Sequence, residues 1–297
     1  MLDYHLHLWP HGERDRQPTL EELSSYCDAA AAHGVTEIAL TEHLFRFVQA
    51  DGLRGAWDAD PNPALRAHAS TYWVEHNHAD LDVYVDAVLE AKAAGLPVVL
   101  GLEVDYYAGR MDAVDALLRG YPFDVLLGSV HWIGAWLFDV VESALVQEEW
   151  DHRGVDAAWD AYTEAIEELS ASGAVDVLAH PDLAKVGGHR PAAPEEFYDR
   201  IAEAAARSGL AAEVSSAGWR KPCAEAYPAP PLLERFRRLN VPVTTASDAH
   251  TVSMVADRIA DLGPLLDAAG YDEVTAFRGR EARAVPLRRG SAAEVER

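Results

Sequence analysis

Short, nearly continuous apolar runs alternate along the chain with longer amphipathic stretches, and this alternation predicts buried strands joined by helices. Strands are predicted over residues 2–7, 35–40, 96–103, 123–130, 175–179, 210–214 and 241–246. Helices are predicted over 19–32, 81–94, 111–119, 156–172, 195–208, 231–240 and 253–269. The first helix carries its own boundaries: Thr19-Leu20-Glu21-Glu22 is a capping box, Leu20, Leu23, Cys27 and Ala30 recur at helical spacing, and His33-Gly34 stops the run. Two spans break the rhythm. Residues 44–80 hold Asp60-Pro61-Asn62-Pro63, the aromatics Trp57, Tyr72 and Trp73, and the histidines His68, His76 and His78; they read as an irregular insertion placed like a lid or specificity loop. Residues 136–152 are acidic and less regular, and the tail over 279–297 is basic and reads as peripheral.

Strands this uniformly apolar suit a parallel sheet covered by helices, so the fold class is α/β. No break in composition divides the chain, and residues 1–297 are expected to form one barrel-like domain. An open doubly wound sheet would gather its chemistry at one switch point. Here polar residues end most of the strands, as around the rim of a barrel.

Those strand ends are where the chemistry lies. His5 and His7 are two apart and project from one face of the first strand, a ready chelate for a divalent metal. His11 follows a proline turn and can fold back towards them. Later strands end in Thr41-Glu42-His43, Glu103, His131, His180-Pro181-Asp182 and Ser247-Asp248-Ala249-His250. Any one of these histidines has an ordinary explanation as a turn or core residue. Their recurrence after six of seven strands does not. Seven imidazoles and two carboxylates exceed the needs of one ion and suit two or three, with Zn, Fe or Mn all compatible with nitrogen and oxygen ligands.

Charge and cysteine usage narrow the substrate and the setting. Lys plus Arg number 25 against 49 Asp plus Glu, a net charge of -24 with no basic run, which argues against long nucleic acids. Cys27 and Cys223 make no disulfide framework, the N-terminus lacks a signal-peptide pattern, and no apolar stretch is long enough to span a bilayer. A soluble, cytoplasmic protein acting on a small molecule is expected.

The run Asp3-Tyr4-His5-Leu6-His7, Thr41-Glu42-His43, Gly101-Leu102-Glu103-Val104-Asp105, Gly128-Ser129-Val130-His131, Ala179-His180-Pro181-Asp182 and Ser247-Asp248-Ala249-His250 resembles the PHP (polymerase and histidinol phosphatase) superfamily in order and over almost the whole chain. Gly101–Tyr106 and Ser216–Pro222 are similar to its histidinol-phosphatase branch. The resemblance implies a distorted seven-stranded (β/α)7, TIM-like barrel of PHP type with a trinuclear metal site. His5, His7, Glu103 and Asp248 would hold one ion, and Glu103 would bridge to a second held by His131 and His180. His11, His43 and His250 would hold the third, with Glu13 the rival of His11 because the loop is short for the family.

The expected activity is metal-dependent hydrolysis of a phosphomonoester, L-histidinol phosphate first, by a metal-activated hydroxide attacking phosphorus, with Glu103, Asp248 and His180 central to catalysis. Arg220 is the expected phosphate clamp with Lys221 beside it, and Asp105, Tyr106, Trp132 and Trp219 are expected to receive the amine and imidazole. Asp182 is one candidate for protonating the leaving group. The rival activities are phosphoester or phosphodiester hydrolysis on nucleotides and other small esters, C–N bond hydrolysis and a non-catalytic metal-holding module. No strand ends in the lysine that the C–N hydrolases carboxylate.

Overall fold

Eleven strands follow one another along the described residues: β1 (Asp3–Leu6), β2 (Ile38–Leu40), β3 (Val98–Asp105), β4 (Val125–Ser129), β5 (Trp132–Ile133), β6 (Trp136–Leu137), β7 (Val177–Leu178), β8 (Ala211–Ser215), β9 (Val243–Ala246), β10 (Glu273–Arg278) and β11 (Glu281–Pro286). They come from a computed structural model that describes residues 1–10 and 17–287. Seven of the strands form one parallel sheet in the order β1-β2-β3-β4-β7-β8-β9. Every residue of those seven is buried, which is why most of them read as nearly continuous apolar runs rather than as alternating ones. The two edges meet. Leu6 bridges Ala249, the His7 N–H donates to the Ala249 carbonyl at 2.8 Å, and the Thr245 hydroxyl donates to the Leu2 carbonyl at 2.7 Å. The result is a nearly closed barrel, as the strand pattern predicted.

The helices are α1 (Leu20–Ala32), α2 (Pro63–His76), α3 (Leu81–Ala93), α4 (Met111–Leu118), α5 (Ala144–Arg153), α6 (Val155–Ala171), α7 (Glu195–Ser208), α8 (Pro230–Arg238) and α9 (Leu262–Ala269). Thr19 caps α1 as the sequence indicated, its hydroxyl accepting from the Glu22 N–H at 3.2 Å. Among the described residues no helix is long and apolar enough to cross a membrane.

Three expectations are corrected. The span 44–80 is not irregular: it holds 3₁₀ turns at Leu44–Arg46 and Val48–Leu53 and then α2. The Asp60-Pro61-Asn62-Pro63 run that looked like loop is a helix start, with Asn62 accepting from the Ala64 and Leu65 N–H groups and Pro63 at the first helical position. Leu65, Ala69, Trp73 and His76 form the buried face of α2. The helix expected over 253–269 is shorter, with only 262–269 α-helical after two 3₁₀ turns. The tail from Gly279 is not peripheral over its described part, because β11 pairs with β10 in an antiparallel hairpin.

That hairpin closes the end of the barrel away from the functional residues. Glu37, Asp124 and Asp176 stand just before β2, β4 and β7, and the hairpin answers each one. Arg278 and Arg283 reach Glu37 at 2.6 and 2.9 Å, Gly279 N–H donates to Asp124 at 3.1 Å, and Arg280 contacts Asp176 at 3.0 Å. The Phe277 N–H also donates to the Tyr4 hydroxyl at 3.2 Å.

Candidate metal centre

His5 lies within β1 and His7 one residue beyond it; both are fully buried. His43 follows β2, Glu103 lies inside β3, His131 follows β4, His180 follows β7, and Asp248 and His250 follow β9. Parallel strands point all these ends at one rim, and the side chains converge there. Their ligand atoms fall into four overlapping groups, each with members within 4.8 Å of one another: His5, His7 and Asp248; His5, Glu103 and His180; His43, Glu103 and His131; His7, His43 and His250.

Glu103 is the hub. Its Oε2 lies 2.7 Å from His43 Nδ1, 3.2 Å from His5 Nε2 and 3.6 Å from His7 Nε2, while Oε1 lies 3.0 Å from His180 Nε2 and 3.5 Å from His131 Nε2. Each oxygen therefore faces a different set of imidazoles, the disposition of a bridging carboxylate. Asp248 Oδ1 approaches His7 Nε2 at 3.5 Å and His250 Nδ1 at 3.6 Å. His5 Nε2, both ring nitrogens of His7 and Glu103 Oε2 are buried without a hydrogen bond. Leaving such atoms unsatisfied costs about 1–3 kcal/mol each. Gathered around common points, they have the chemistry and spacing of ligands to divalent ions, and they fit the metal group expected from the sequence.

Carboxylates behind the imidazoles fix their orientation. Glu213 Oε2 lies 2.7 Å from His5 Nδ1, and its Oε1 accepts the His180 N–H at 3.3 Å. Asp105 Oδ1 lies 2.6 Å from His131 Nδ1 and accepts the Trp132 indole N–H at 2.8 Å. Glu42 accepts the Leu8 and Trp9 N–H groups, with its Oε2 3.6 Å from His7 Nδ1 and 3.5 Å from Arg46 Nε. The backbone at the rim is set with equal care. His180 and Asp248 adopt positive φ of 28° and 51°, uncommon for residues with a side chain. Buried Asp3 accepts from Ser247 N–H and Oγ and from Ala256 N–H at 2.7–2.9 Å, tying the end of β9 to β1. Because Glu213 serves both His5 and the strained His180 backbone, Glu213→Gln is expected to lower metal affinity about 10–100-fold with the fold retained. Competition against a chromophoric chelator measures this, and unchanged affinity would remove Glu213 from the centre.

The electrostatics are dominated by the same contacts. Burial alone would raise the Glu103 pKa, but His43, His5 and His131 hold it well below the carboxylate range. Asp248 is likewise held well below by His5, His7 and His250 against its burial. Burial disfavours a charged His5, yet Glu213, Glu103 and Asp248 raise its pKa well above the ordinary imidazole value. His131 is raised to about 10 by Glu103 and Asp105 against burial, whereas burial and His7 push His250 down to about 3.

The pocket over this centre is walled by Phe45, Tyr72, Trp132, Leu137, Asp139 and Tyr227, with Lys221 at its edge. Of the residues expected to contact substrate, Trp132 and Lys221 line it. Arg220 does not: its guanidinium is held by Asp257 at 3.0 Å and by the Ser247 and Asp248 carbonyls at 2.5 and 3.3 Å, supporting the β9 turn. Trp219 stacks under Arg258 at 4.2 Å, Tyr106 bonds to Glu168, and Asp105 is engaged by His131 and Trp132. Asp182 is buried in an ion pair with Lys185 at 2.8 Å and accepts the Ala229 N–H at 2.8 Å, away from the pocket wall, so it is not placed to protonate a leaving group. His11 and Glu13 lie outside the described residues. His76 packs on Tyr72 with ring centroids 4.0 Å apart, and His78 is exposed, so that His-x-His does not chelate.

Sequence reasoning missed Glu213 and Asp139. A lone glutamate inside the buried strand Ala211-Ala212-Glu213-Val214-Ser215 was the available signal for the first. Asp139 lies in the acidic span after β6, where nothing local distinguishes it.

The PHP domain model matches residues 5–217. A probable histidinol-phosphatase of Deinococcus radiodurans is 38% identical over 198 residues, covering 66% of this chain and 74% of that protein. The histidinol-phosphatase of Lactococcus lactis subsp. lactis is 24% identical over 283 residues, 94% of each chain. The crystal structure of L. lactis histidinol phosphate phosphatase complexed with Zn, L-histidinol and phosphate superposes with a TM-score of 0.69 at 20% identity, over 95% of this chain and 98% of that one. The putative histidinol phosphatase of Listeria monocytogenes superposes at 0.67, also with 20% identity, over 88% and 99%. At these identities the superpositions speak to the fold, while the family rests on the domain match and on the D. radiodurans relative. The chain belongs to the PHP domain family, among relatives named as histidinol-phosphatases.

Proposed function

We propose that this protein is a metal-dependent phosphomonoesterase that hydrolyses L-histidinol phosphate to L-histidinol and phosphate, a step of histidine biosynthesis. The observation that carries this is Glu103, one carboxylate whose oxygens each face a separate set of imidazoles beneath a small pocket. In this reading His5, His7, Glu103 and Asp248 would hold one ion, Glu103 with His131 and His180 a second, and His43 and His250 a third, for which His11 is the further ligand expected from the sequence. The ions are Zn, Fe or Mn. When bound, such ions lower the pKa of water and neutralise the charge on phosphoryl oxygens.

The protein's own groups do the rest. Glu213, Asp105 and Glu42 hold His5, His131 and His7 in orientation, so the site is organised before substrate arrives. Lys221 at the pocket edge supplies a cation for the phosphate in the place expected of Arg220. Phe45, Tyr72 and Trp132, with ring centroids 5.6–5.9 Å apart, present aromatic surface to an imidazole ring.

The test is hydrolysis by metal-analysed protein of L-histidinol phosphate beside other phosphomonoesters, mononucleotides and cyclic nucleotides. A kcat/KM for L-histidinol phosphate at least about tenfold above the others is expected, since substrate choice is a ratio of these values. Turnover confined to nucleotides would overturn the substrate and leave a phosphoesterase of the same family.

A further inference from the structure

We infer that Asp139 is the specificity-determining residue of the pocket, pairing with a cationic amine on the substrate and thereby selecting amine-bearing phosphomonoesters. The inference rests on the phosphatase reading above and deepens it. Once the metal-ligating cluster is set aside, the described pocket wall is aromatic or aliphatic except for two charged groups, Asp139 and Lys221. An ester with phosphate at one end and an ammonium group at the other needs one group of each sign. Asp105, the obvious carboxylate from the sequence, is already engaged by His131 and Trp132. The Asp139 carboxylate is half-buried in the wall and forms no hydrogen bond or ion pair with another side chain among the described residues, with His131, Lys221 and His180 near enough to act on its charge.

Its position is fixed rather than incidental. Asp139 comes two residues after β6, and the β5–β6 hairpin before it is pinned on several sides. The Ala135 N–H donates to Asp60 at 2.9 Å, and the Trp132 indole stacks on Trp57 with centroids 5.2 Å apart and planes 2° from parallel. Trp136 and Phe138 are fully buried against Trp150. After Asp139, its carbonyl accepts the Val141 N–H at 2.9 Å and Leu137 accepts from Val140 at 3.3 Å. A carboxylate whose backbone is pinned in this way, partly desolvated in a pocket that Trp132 and Tyr72 also line, suits an organic cation, because ring faces and carboxylate attract the same charge.

The experiment compares wild type with Asp139→Asn and Asp139→Ala, each loaded and assayed for bound metal. The substrates are L-histidinol phosphate and phosphoethanolamine against p-nitrophenyl phosphate and glycerol phosphate, which lack an amine. The expected result is a loss of about 10–100-fold in kcat/KM on the amine-bearing esters, mostly through KM, as for a lost charged hydrogen bond. The amine-free esters should change less than about threefold and metal content should not change. An equal loss on both classes, no loss on either, or loss of bound metal would overturn the assignment. Failure of the wild type to hydrolyse any ester would instead sink the phosphatase reading and this inference with it. Wild-type preference for another amine-bearing ester, abolished by Asp139→Asn, would uphold Asp139 while rejecting L-histidinol phosphate.

Discussion

Glu103→Gln is expected to lower kcat/KM by about a thousandfold or more, since a bridging charge worth several kcal/mol is lost with each tenfold near 1.4 kcal/mol. The substitution keeps the volume of a side chain that is 1% exposed, so packing among β2, β3 and β4 is preserved. What changes is the ligand. The carboxylate offers one anionic oxygen to His5, His7 and His43 and another to His131 and His180. Glutamine keeps one neutral acceptor and turns an NH₂ group towards the other set, where imidazoles that should ligate a cation meet a donor. Bound metal should fall as well, because in the proposed assignment two ions would share this one ligand and the remaining carboxylates would no longer balance them. Elemental analysis, kcat/KM and a thermal melt together read this result. Near-wild-type activity with full metal content would show that Glu103 does not bridge.

The legible and illegible parts of this chain divide along physical lines. Strands buried on both faces must be apolar, so β3, β4 and β8 stood out, and the polar residues at their ends were visible by contrast. His5 and His7 were paired by the two-residue repeat of extended chain, whereas Asp248 and His250, read by the same repeat, come together through a turn in which Asp248 has a positive φ of 51°. Helix α2 was missed because most of its surface is polar and its start, Asn62-Pro63, has the same composition as a turn. The hairpin β10–β11 was missed because β11 is mainly exposed, and because its arginines are explained only by Glu37 and Asp176, far away in sequence. Arg220 and Lys221 differ by one position, and local sequence does not say which of two adjacent side chains turns to the pocket and which turns back to Asp257. Asp105 repeats the two-residue spacing from Glu103, but the fold uses it to orient His131. In each case the deciding contact is long-range.

Stripping divalent ions with a chelator is expected to reduce turnover to background and to reverse the alkaline pH dependence of stability. In the stripped protein, His131 has a pKa near 10 against 6.5 unfolded, and His5 and His7 are raised in the same direction. A raised folded pKa gives stability that is fully present below the unfolded value of 6.5 and is lost as pH climbs through the folded one. The stripped protein should therefore lose Tm progressively from about pH 6.5 towards 10. On the acid side Glu103, Asp248 and Glu42 are lowered, so their contribution is present above the ordinary carboxylate range and disappears as pH falls through their folded values. His250, lowered to about 3, adds to that acid loss, because unfolding lets it take up a proton as pH drops below 6.5. Ligation requires neutral imidazoles, so rebinding must expel protons from His5 and His131, and apparent metal affinity should rise with pH over the window in which the stripped protein weakens. Melts of stripped and reloaded protein from pH 5 to 9, with proton release recorded during zinc addition in weakly buffered solution, measure both halves. Zinc uptake without proton release, or a stripped protein with a flat alkaline Tm, would show that these imidazoles are not held protonated by Glu103, Glu213 and Asp105 and are not the groups the metal displaces protons from.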